Sequence, residues 1–569
     1  MRFADLTETG PGGLNYQALE FDFQRSPDQD ATNPPRRPVV VVGAGPVGLS
    51  LAIDLAQREV PVVLLDNDCK LSTGSRAICF AKRTLEIFDR LGCGDRMVKK
   101  GVSWNLGRVF FGDEQIYQFD LLPEDGHERP AFINLQQYYA EGYLYEQARQ
   151  QPNIELRWKN KVAGVMQGND GVTLTVETPD GPYTLHADWL IACDGARSPV
   201  RKLIGQESHG RIFRDRFLIA DVKMTADFPS ERWFWFDPPF HPNQSVLLHR
   251  QPDNVWRIDF QLGWNADPVE AVKPENVLPR IRALLGPDAQ FELEWVSVYT
   301  FACERMDKFR HGRIVFAGDS AHRVSPFGAR GANSGVQDAE NLAWKLKLVV
   351  AGLAPDTLID SYSAEREFAA DENILNSSRA TDFITPKSDI SRSFRNAVLN
   401  LAKDHPFARS LVNSGRLSLP ATYAGSPLNT PDADAFTGRM MPGAVALDAP
   451  LQVQGEAGWW LSQLDGEFVL AVFCAGALPG HDTLMALQAL RMAPVPVKAV
   501  LVADMQCDLS AVAADVPVVR DSEGCLAKRY DAQDGTAYLI RPDQHIAARW
   551  RVFNPDAVAA AVQRATGRA

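Results

Sequence analysis

The sequence has few of the features that mark exported, metal-binding or nucleic-acid-binding proteins. Its eight cysteines form no C-x-x-C pair and have no histidines at ligand spacing, so we expect neither a disulfide framework nor a metal site. No apolar run approaches the ~18 residues of a membrane span, and no cationic segment with an apolar core opens the chain, so a cytoplasmic location is expected. Basic residues are in deficit, 59 against 71 acidic ones, and the net charge of −12 disfavours nucleic acid and anionic membrane surfaces as partners.

The length and composition indicate several compact domains. The chain has 569 residues, with hydrophobic and charged fractions of 45% and 23% that are ordinary for a globular protein. Composition and periodicity predict a polar arm (1–37), a first α/β segment (38–205), a segment of short alternating strands (206–300), a return to the first domain with added helices (301–400), a linker (401–435) and a third domain (436–569). The strand segment is therefore an insert within a discontinuous domain.

A βαβ unit with a glycine turn opens the first domain. Residues 38–66 read as an apolar strand, the turn GAGPVG, a helix and a second strand that ends in Asp66. The residues of the turn that matter are Gly43, Gly45, Pro46 and Gly48. Such glycines allow a tight turn and the close approach of a pyrophosphate to the helix N-terminus, and the carboxylate can accept hydrogen bonds from a ribose. The unit predicts a dinucleotide site, which by itself fits NAD or FAD.

Two further stretches narrow the choice through a resemblance. Residues 189–201 read WLIACDGARSPVR, and residues 313–346 read RIVFAGDSAHRVSPFGARGANSGVQDAENLAWKL. Together with GAGPVG, and in this order, they resemble the three fingerprints of the single-component FAD-dependent aromatic hydroxylases, the group that includes phenol hydroxylase and 3-(3-hydroxyphenyl)propionate hydroxylase. The resemblance spans roughly residues 38–400. It implies an α/β fold: a Rossmann-like FAD-binding domain with an inserted antiparallel β-sheet substrate domain and a C-terminal thioredoxin-like domain.

The resemblance also implies residue roles and a reaction cycle. Arg76 matches the arginine that lies against the FAD pyrophosphate, Gln137 matches a glutamine that reaches FAD, with Gln136 as its rival, and Asp194 belongs to a motif associated with the cofactor and NAD(P)H use. In the family's cycle NADH or NADPH, bound transiently, reduces FAD, O2 adds at flavin C4a, and the resulting hydroperoxide delivers one oxygen atom to an electron-rich ring. The backbone carbonyl of Pro326 is implied close to that oxygen.

The stretch around Asp319 also has a physical interpretation of its own. A strand that ends at an acid offers a carboxylate to ribityl or ribose hydroxyls. The following turn leads directly into a helix, so the amides of Gly331, Ala332 and Asn333 point out of its N-terminus. We expect these amides to face the flavin and to stabilise the negative charge of its reduced form.

The insert contains an aromatic strand. In ERWFWFDPPF, alternation places Trp233 and Trp235 on one face and Phe234 and Phe236 on the other. Trp235 and Phe236 are therefore candidates for the wall of an aromatic pocket, and packing within the sheet core is the alternative.

Polar residues on the other insert strands are candidates for the substrate's phenol proton or carboxylate. Removing the phenol proton raises the electron density of the ring, so a base is useful, and His249 is the candidate. Arg250 accompanies it, and Arg257 with Asp259 is the alternative pair for contact with the ring. Arg257 is also the candidate for binding a substrate carboxylate, with Arg250 as the alternative. Sequence alone does not choose among them.

The third domain resembles the thioredoxin-like domain of the larger family members. Its first core strand ends at Cys474 without a second cysteine nearby, so dithiol exchange is not expected. A structural or subunit-contact role, and with it a homodimer, is the expectation.

The function predicted from these observations is the NAD(P)H- and O2-dependent hydroxylation of a phenolic ring, ortho to an existing hydroxyl. A larger polyketide-like aromatic is an alternative substrate. The run WFWFDP also comes within one residue of the W-x-W-x-I-P signature of flavin-dependent halogenases, but Asp237 replaces the isoleucine and those enzymes lack the third domain.

Overall fold

A computed structural model of the chain describes residues 19–72, 77–226, 228–412, 418–509 and 516–569. These residues form three large β-sheets, which we call the nucleotide sheet, the insert sheet and the C-terminal sheet. No helix within the described ranges is long and apolar enough to cross a membrane. Part of the predicted polar arm is packed: Asp28 is buried in ion pairs with Arg37 and Arg157, and Phe21 stacks on Trp158 with ring centroids 4.4 Å apart.

The nucleotide sheet has a parallel centre because its strands are apolar on both faces. Val39, Val40 and Val41 are fully buried, so both faces of the strand that contains them are covered. The strands are Arg36–Val42, Val62–Leu65, Ile154–Arg157, Lys161–Gln167, Val172–Glu177, Tyr183–Ala192, Arg310–His311 and Ile314–Phe316. The helices are Pro46–Gln57, Lys82–Arg90, Gly94–Lys100, Gln137–Gln150, Pro199–Leu203, Gly331–Val350 and Leu358–Ile384. The strands that end at Val42, Ala192 and Phe316 lie side by side and parallel, so the turns that follow them meet at one edge.

The insert sheet contains more of the chain than the predicted 206–300 segment. Its strands are Leu106–Phe111, Glu114–Asp120, His209–Lys223, Arg232–Phe236, Ser245–Arg250, Val255–Leu262, Glu292–Arg305 and His322–Arg323. The first two come from the preceding domain, and Leu106–Phe111 pairs in parallel with Arg232–Phe236. Two short helices, Pro268–Ala271 and Pro274–Leu285, pack on the outer face, and a separate small sheet is formed by Cys79–Ala81, Val102–Trp104 and Phe132–Asn134.

The C-terminal sheet follows two further helices, Asp389–Asp404 and Pro406–Arg409. Its strands are Pro450–Val453, Glu456–Trp459, Phe468–Cys474, Val497–Ala503, Val518–Arg520, Ala537–Ile540 and Ile546–Trp550, and its helices are His481–Arg491, Cys525–Arg529 and Pro555–Ala565. Phe468–Cys474 is central: it pairs in parallel with Val497–Ala503 and antiparallel with Ala537–Ile540.

Candidate flavin and substrate site

The three glycines of the first turn have different surroundings. Gly43 has a positive φ of 103°, and a Cβ there would lie 2.4 Å from the Cys193 carbonyl oxygen. A Cβ at Gly48 would lie 1.9 Å from the Gly43 carbonyl oxygen, so both positions need glycine for the fold itself. A Cβ at Gly45 would meet nothing within 4 Å. Gly45 precedes Pro46 as the N-cap of a helix without a side-chain cap, so open space lies over a helix N-terminus, as a pyrophosphate requires.

A polar cavity of about 610 Å³ continues from this turn. Gly45, Asp66, Gln137 and Glu141 are among the residues that line it. The carboxylate of Asp66 accepts hydrogen bonds from the amides of Ala44 (2.6 Å) and Asp68 (2.8 Å), and burial raises its pKa. Each carboxylate oxygen retains acceptor capacity, so the group can also hold ribose hydroxyls.

The structure separates the two neighbouring glutamines. Gln137 lies in the cavity wall, where its amide nitrogen donates to Glu141 (2.8 Å) and its oxygen accepts from the Ala77 amide (3.1 Å). Gln136 is buried, and its amide nitrogen donates to the Pro252 carbonyl (3.3 Å) instead. Arg76, predicted to lie against the pyrophosphate, falls outside the described residues.

The Gly318–Asp319 turn is anchored from beneath. Gly318 has a positive φ of 66°, and its amide donates to Asp338 (2.8 Å), which also accepts from His322 (2.7 Å) and Arg366 (2.5 Å). Asp319 is exposed above these buried groups. Its carboxylate is therefore presented at the surface of a rigid turn.

Asp194 supports a turn of its own. Its carboxylate accepts a hydrogen bond from the Val200 amide (2.9 Å), at the start of the helix Pro199–Leu203, and burial raises its pKa. This contact gives the side chain a structural role in the turn that follows the strand Tyr183–Ala192.

The helix Gly331–Val350, called the Gly331 helix below, begins without a side-chain cap. The Asn333 side chain ties this end to the small sheet, since its oxygen accepts from the Ala81 amide (2.8 Å) and its nitrogen donates to the Cys79 carbonyl (2.9 Å). The preceding turn is strained, because Ala329 has a positive φ of 51°. The Pro326 carbonyl accepts from the Ala329 amide (3.1 Å) and keeps a second lone pair. An uncapped N-terminus held in this way is a preformed site for negative charge.

These features fit a bound FAD. Open space over Gly45 suits the pyrophosphate, the carboxylates of Asp66 and Asp319 suit sugar and ribityl hydroxyls, and the uncapped Gly331 helix suits the pyrimidine end of a flavin. No group of three or more histidine, cysteine, aspartate or glutamate side chains that could hold a metal ion occurs in the described ranges.

One face of the insert sheet is turned toward this site. Phe327, from the turn before the Gly331 helix, packs on Phe217 and Phe301 of the sheet, with ring centroids 4.7 and 5.5 Å apart. Trp295 and Ser297 on the same face line the cavity that begins at the glycine turn. The substrate of a flavin bound here would therefore lie between this inner face and the Gly331 helix.

The inner face contains a buried row of charged side chains. Arg257 pairs with Asp221 through two hydrogen bonds of 2.8 and 2.7 Å. His249 lies beside Arg257 in the strand register, and its Nε2 is 3.5 Å from an oxygen of Asp259. Burial, and then the charges of Arg232 and Arg257, hold the pKa of His249 well below its usual value, whereas burial raises the pKa of Asp259 to about 6. The raised pKa lets Asp259 take up a proton more readily than an ordinary aspartate does.

The aromatic strand divides as the alternation predicts. Trp233 and Trp235 lie on the outer face, where Trp235 stacks on Phe110 with centroids 5.2 Å apart. Trp235 is therefore separated from the flavin site by the sheet, and we do not include it in the substrate site. Phe234 and Phe236 lie on the inner face in a cluster that also contains Phe327.

Arg232 is an inner-face residue that the sequence reasoning did not select. It lies at the start of the aromatic strand, two and four residues before Phe234 and Phe236, so the same alternation puts it on their face. The alternation is visible in the sequence. The lack of an ion-pair partner for the Arg232 guanidinium among the described residues is seen only in the structure.

Comparisons with known proteins agree with this geometry. The FAD binding domain family matches residues 36–377. The probable NADH-specific resorcinol 4-hydroxylase of Rhodococcus jostii is 33% identical over 335 residues, which are 58% of this chain and 62% of that protein. The 3-(3-hydroxy-phenyl)propionate/3-hydroxycinnamic acid hydroxylase of Mycolicibacterium smegmatis is 26% identical over 525 residues, 90% of each chain.

A solved structure extends the similarity to almost the whole fold. The flavin-dependent monooxygenase PieE, crystallised in complex with FAD and substrate, superposes with a TM-score of 0.78 at 21% identity, over 94% of this chain and 100% of that one. At this identity the likeness concerns the fold alone.

Proposed function

Since this chain belongs to the FAD binding domain family, as the three motifs indicated, we propose that it is a monooxygenase that hydroxylates a phenolic ring ortho to an existing hydroxyl, with FAD as its cofactor and NADH or NADPH as its reductant. NAD(P)H supplies two electrons, O2 supplies the oxygen atom that enters the ring, and the second oxygen atom leaves as water. The observation that carries the proposal is the position of the buried polar inner face of the insert sheet opposite the uncapped Gly331 helix.

The chain's own residues would bind and orient the two reactants. When bound, the flavin supplies the activation of O2 and its transfer to the ring. The amides of Gly331, Ala332 and Asn333 would stabilise negative charge on the flavin, and Asp319 would hold its ribityl hydroxyls. The Pro326 carbonyl, with a free lone pair, would orient a hydroxyl above the ring system.

The phenol proton would pass to Asp259. His249 remains neutral at neutral pH because its pKa is lowered, and its Nδ1 has no partner among the described residues. Its Nδ1 can therefore accept the phenol proton while Nε2, 3.5 Å from Asp259, gives its own proton to that carboxylate, so that the imidazole ends neutral and Asp259 holds the net proton.

A panel of phenols tests the proposal. Purified protein should be yellow, and its consumption of NAD(P)H and O2 should rise when a suitable phenol is added, with a hydroxylated product seen by mass spectrometry. Release of peroxide alone with the best phenol would refute hydroxylation and leave FAD binding intact. Products that contain added chloride or bromide would instead identify a halogenase.

The C-terminal domain is proposed to be thioredoxin-like and structural. The succession of a strand, helix and parallel strand, then an antiparallel hairpin and helix, supports this assignment. Cys474 is buried, and burial raises its pKa to about 12, so it has little thiolate for exchange chemistry.

A further inference from the structure

Arg232 is a buried cation without a protein partner. Its relative exposure is 8%, and it forms no hydrogen bond or ion pair with the described residues. Its Nη1 atom is fully buried. Burying an uncompensated charge is costly, so a stable protein normally provides a partner for it.

The other buried arginines show how unusual this is. Arg257, one strand beyond His249 on the same face, is held by both oxygens of Asp221, and Arg83 and Arg366 pair with Glu340 and Asp338. Within the described ranges, every buried arginine except Arg232 has at least one hydrogen-bond or ion-pair partner. Arg232 is therefore the one in this set whose guanidinium remains available.

The surroundings of Arg232 provide no group in direct contact with its guanidinium among the described residues. Cys79, Asp259 and Tyr299 are the titratable groups that affect its charge, but none forms an ion pair or hydrogen bond with it. Burial raises the pKa of Cys79 to about 11, so its thiol is neutral. Nδ1 of His249, on the same face, is also buried without a partner, and it belongs to the proposed phenol site.

We propose that Arg232 binds an anionic oxygen of the aromatic substrate, so that the substrate class is phenols that present an oxyanion in the site, either a carboxylate carried by the ring or the phenolate left when Asp259 has taken the proton. The inference rests on the proposed function, since it assigns Arg232 to the ring that is hydroxylated. A planar guanidinium pairs well with a carboxylate and also with an ionised hydroxyl. The oxyanion replaces the missing protein partner, and Arg257, already occupied by Asp221, does not fill this role.

Ligand binding to the FAD-loaded protein tests this assignment without turnover. The probes are 3-hydroxyphenylacetate, 4-nitrophenol and 3-hydroxybenzyl alcohol, titrated at pH 8 and followed by the flavin absorbance change and by calorimetry. Wild type should prefer one or both anions to the alcohol. A preference for the acetate identifies a carboxylate as the bound group, and a preference for the nitrophenol identifies a phenolate.

Three variants locate the effect. Arg232→Gln should keep its flavin, bind the preferred anion about 10- to 100-fold more weakly than wild type, and bind the alcohol with unchanged affinity. Arg232→Lys should retain part of the affinity for the anion. The matched control is Arg250→Gln, since Arg250 lies on the outer face over Trp256, 5.7 Å from its ring, and should bind every probe as wild type does. The ligand-free Arg232→Gln protein should melt no lower than wild type, because an unpaired charge has been removed.

Other results would overturn the assignment. The wild type could bind the anions no more tightly than the alcohol. Arg232→Gln could bind every probe with wild-type affinity, or bind all of them more weakly by the same factor. It could also lose its flavin. A wild type that binds anions through Arg232 but makes no hydroxylated product would instead overturn the proposed function and leave the anion site standing.

Discussion

At the scale of single residues, the glycines of one motif have different roles. Gly43 and Gly48 are needed because the chain's own backbone lies where their side chains would be, whereas Gly45 faces open space with an ordinary negative φ of −77°. The motif in the sequence does not separate these two cases, because the requirement at Gly43 comes from the Cys193 turn, 150 residues away in the sequence, and the requirement at Gly48 comes from the folded path of the Gly43 carbonyl.

Replacing Gly45 by valine should remove FAD and spare the fold. The new side chain enters the pyrophosphate's path, and its Cβ meets no protein atom within 4 Å. We expect the purified variant to be colourless, with a circular dichroism spectrum like that of the wild-type apoprotein. Gly48→Ala is the contrasting change: its methyl group collides with the Gly43 carbonyl, so it should lower the melting temperature of the apoprotein as well. A yellow Gly45→Val protein would contradict the placement of the pyrophosphate.

Asp259 should give the protein a pH-dependent stability. Its pKa is raised by burial from 3.8 to about 6, so the folded state holds the proton more strongly than the unfolded chain does. The stabilisation is complete below about pH 4 and is lost as the pH rises through 6, a loss of about 3 kcal/mol. Asparagine does not ionise, so Asp259→Asn does not lose this stability as the pH rises. The melting temperature of the variant, relative to that of wild type, should therefore increase between pH 4 and pH 7. The exposed Asp288→Asn serves as the control, and a constant difference for Asp259→Asn would contradict the buried, raised-pKa position.

At the scale of elements, most of what was predictable was local. The buried run of valines, the glycine turn and the helix beyond Gly331 all follow from short windows of sequence and lie where they were predicted. The strands Leu106–Phe111 and Glu114–Asp120 were not assigned to the insert, because they join it through the pairing of Leu106–Phe111 with Arg232–Phe236, segments more than a hundred residues apart. Alternation placed Phe236 and Trp235 on opposite faces, but only the contacts of Phe327 show which face is the inner one.

The N-terminus of the Gly331 helix should tune the flavin potential. Asn333→Asp keeps the oxygen that accepts from the Ala81 amide, loses the nitrogen that donates to the Cys79 carbonyl, and adds a negative charge at this end. Reduced flavin is an anion, so the two-electron midpoint potential should become more negative by about 10–40 mV, measured by dye equilibration. Asn276→Asp, in the helix Pro274–Leu285 on the outer face of the insert, should leave the potential unchanged. An unshifted potential in Asn333→Asp would show that this helix does not face the flavin.

At the scale of the whole molecule, a buried ion network joins the C-terminal domain to the Gly331 helix. Arg541 pairs with both oxygens of Glu365 at 2.7 and 3.0 Å and also with Asp543. Glu365 also accepts from Lys345 (2.7 Å) and Asn341 (2.8 Å) of the Gly331 helix. Although burial opposes ionisation, Arg541 and Lys345 hold the pKa of Glu365 below its ordinary value. The domain is thus part of the support of the flavin site rather than a separable appendage.

Arg541→Met should therefore weaken both domains together. The change leaves Glu365 and Asp543 buried with less compensating charge, and breaking such a buried network costs about 3–5 kcal/mol. We expect a large fall in melting temperature by calorimetry, and release of FAD at the same temperature as the loss of structure, because the network ends on the helix that we propose faces the flavin. Arg439→Met provides the control, since Arg439 pairs with Glu124 across the same two domains but is 71% exposed, and it should melt within about a degree of wild type. Arg541→Met could instead unfold in two transitions, the first confined to the C-terminal domain and without release of flavin. That result would show that the network stabilises only the C-terminal domain and that the flavin site does not depend on it.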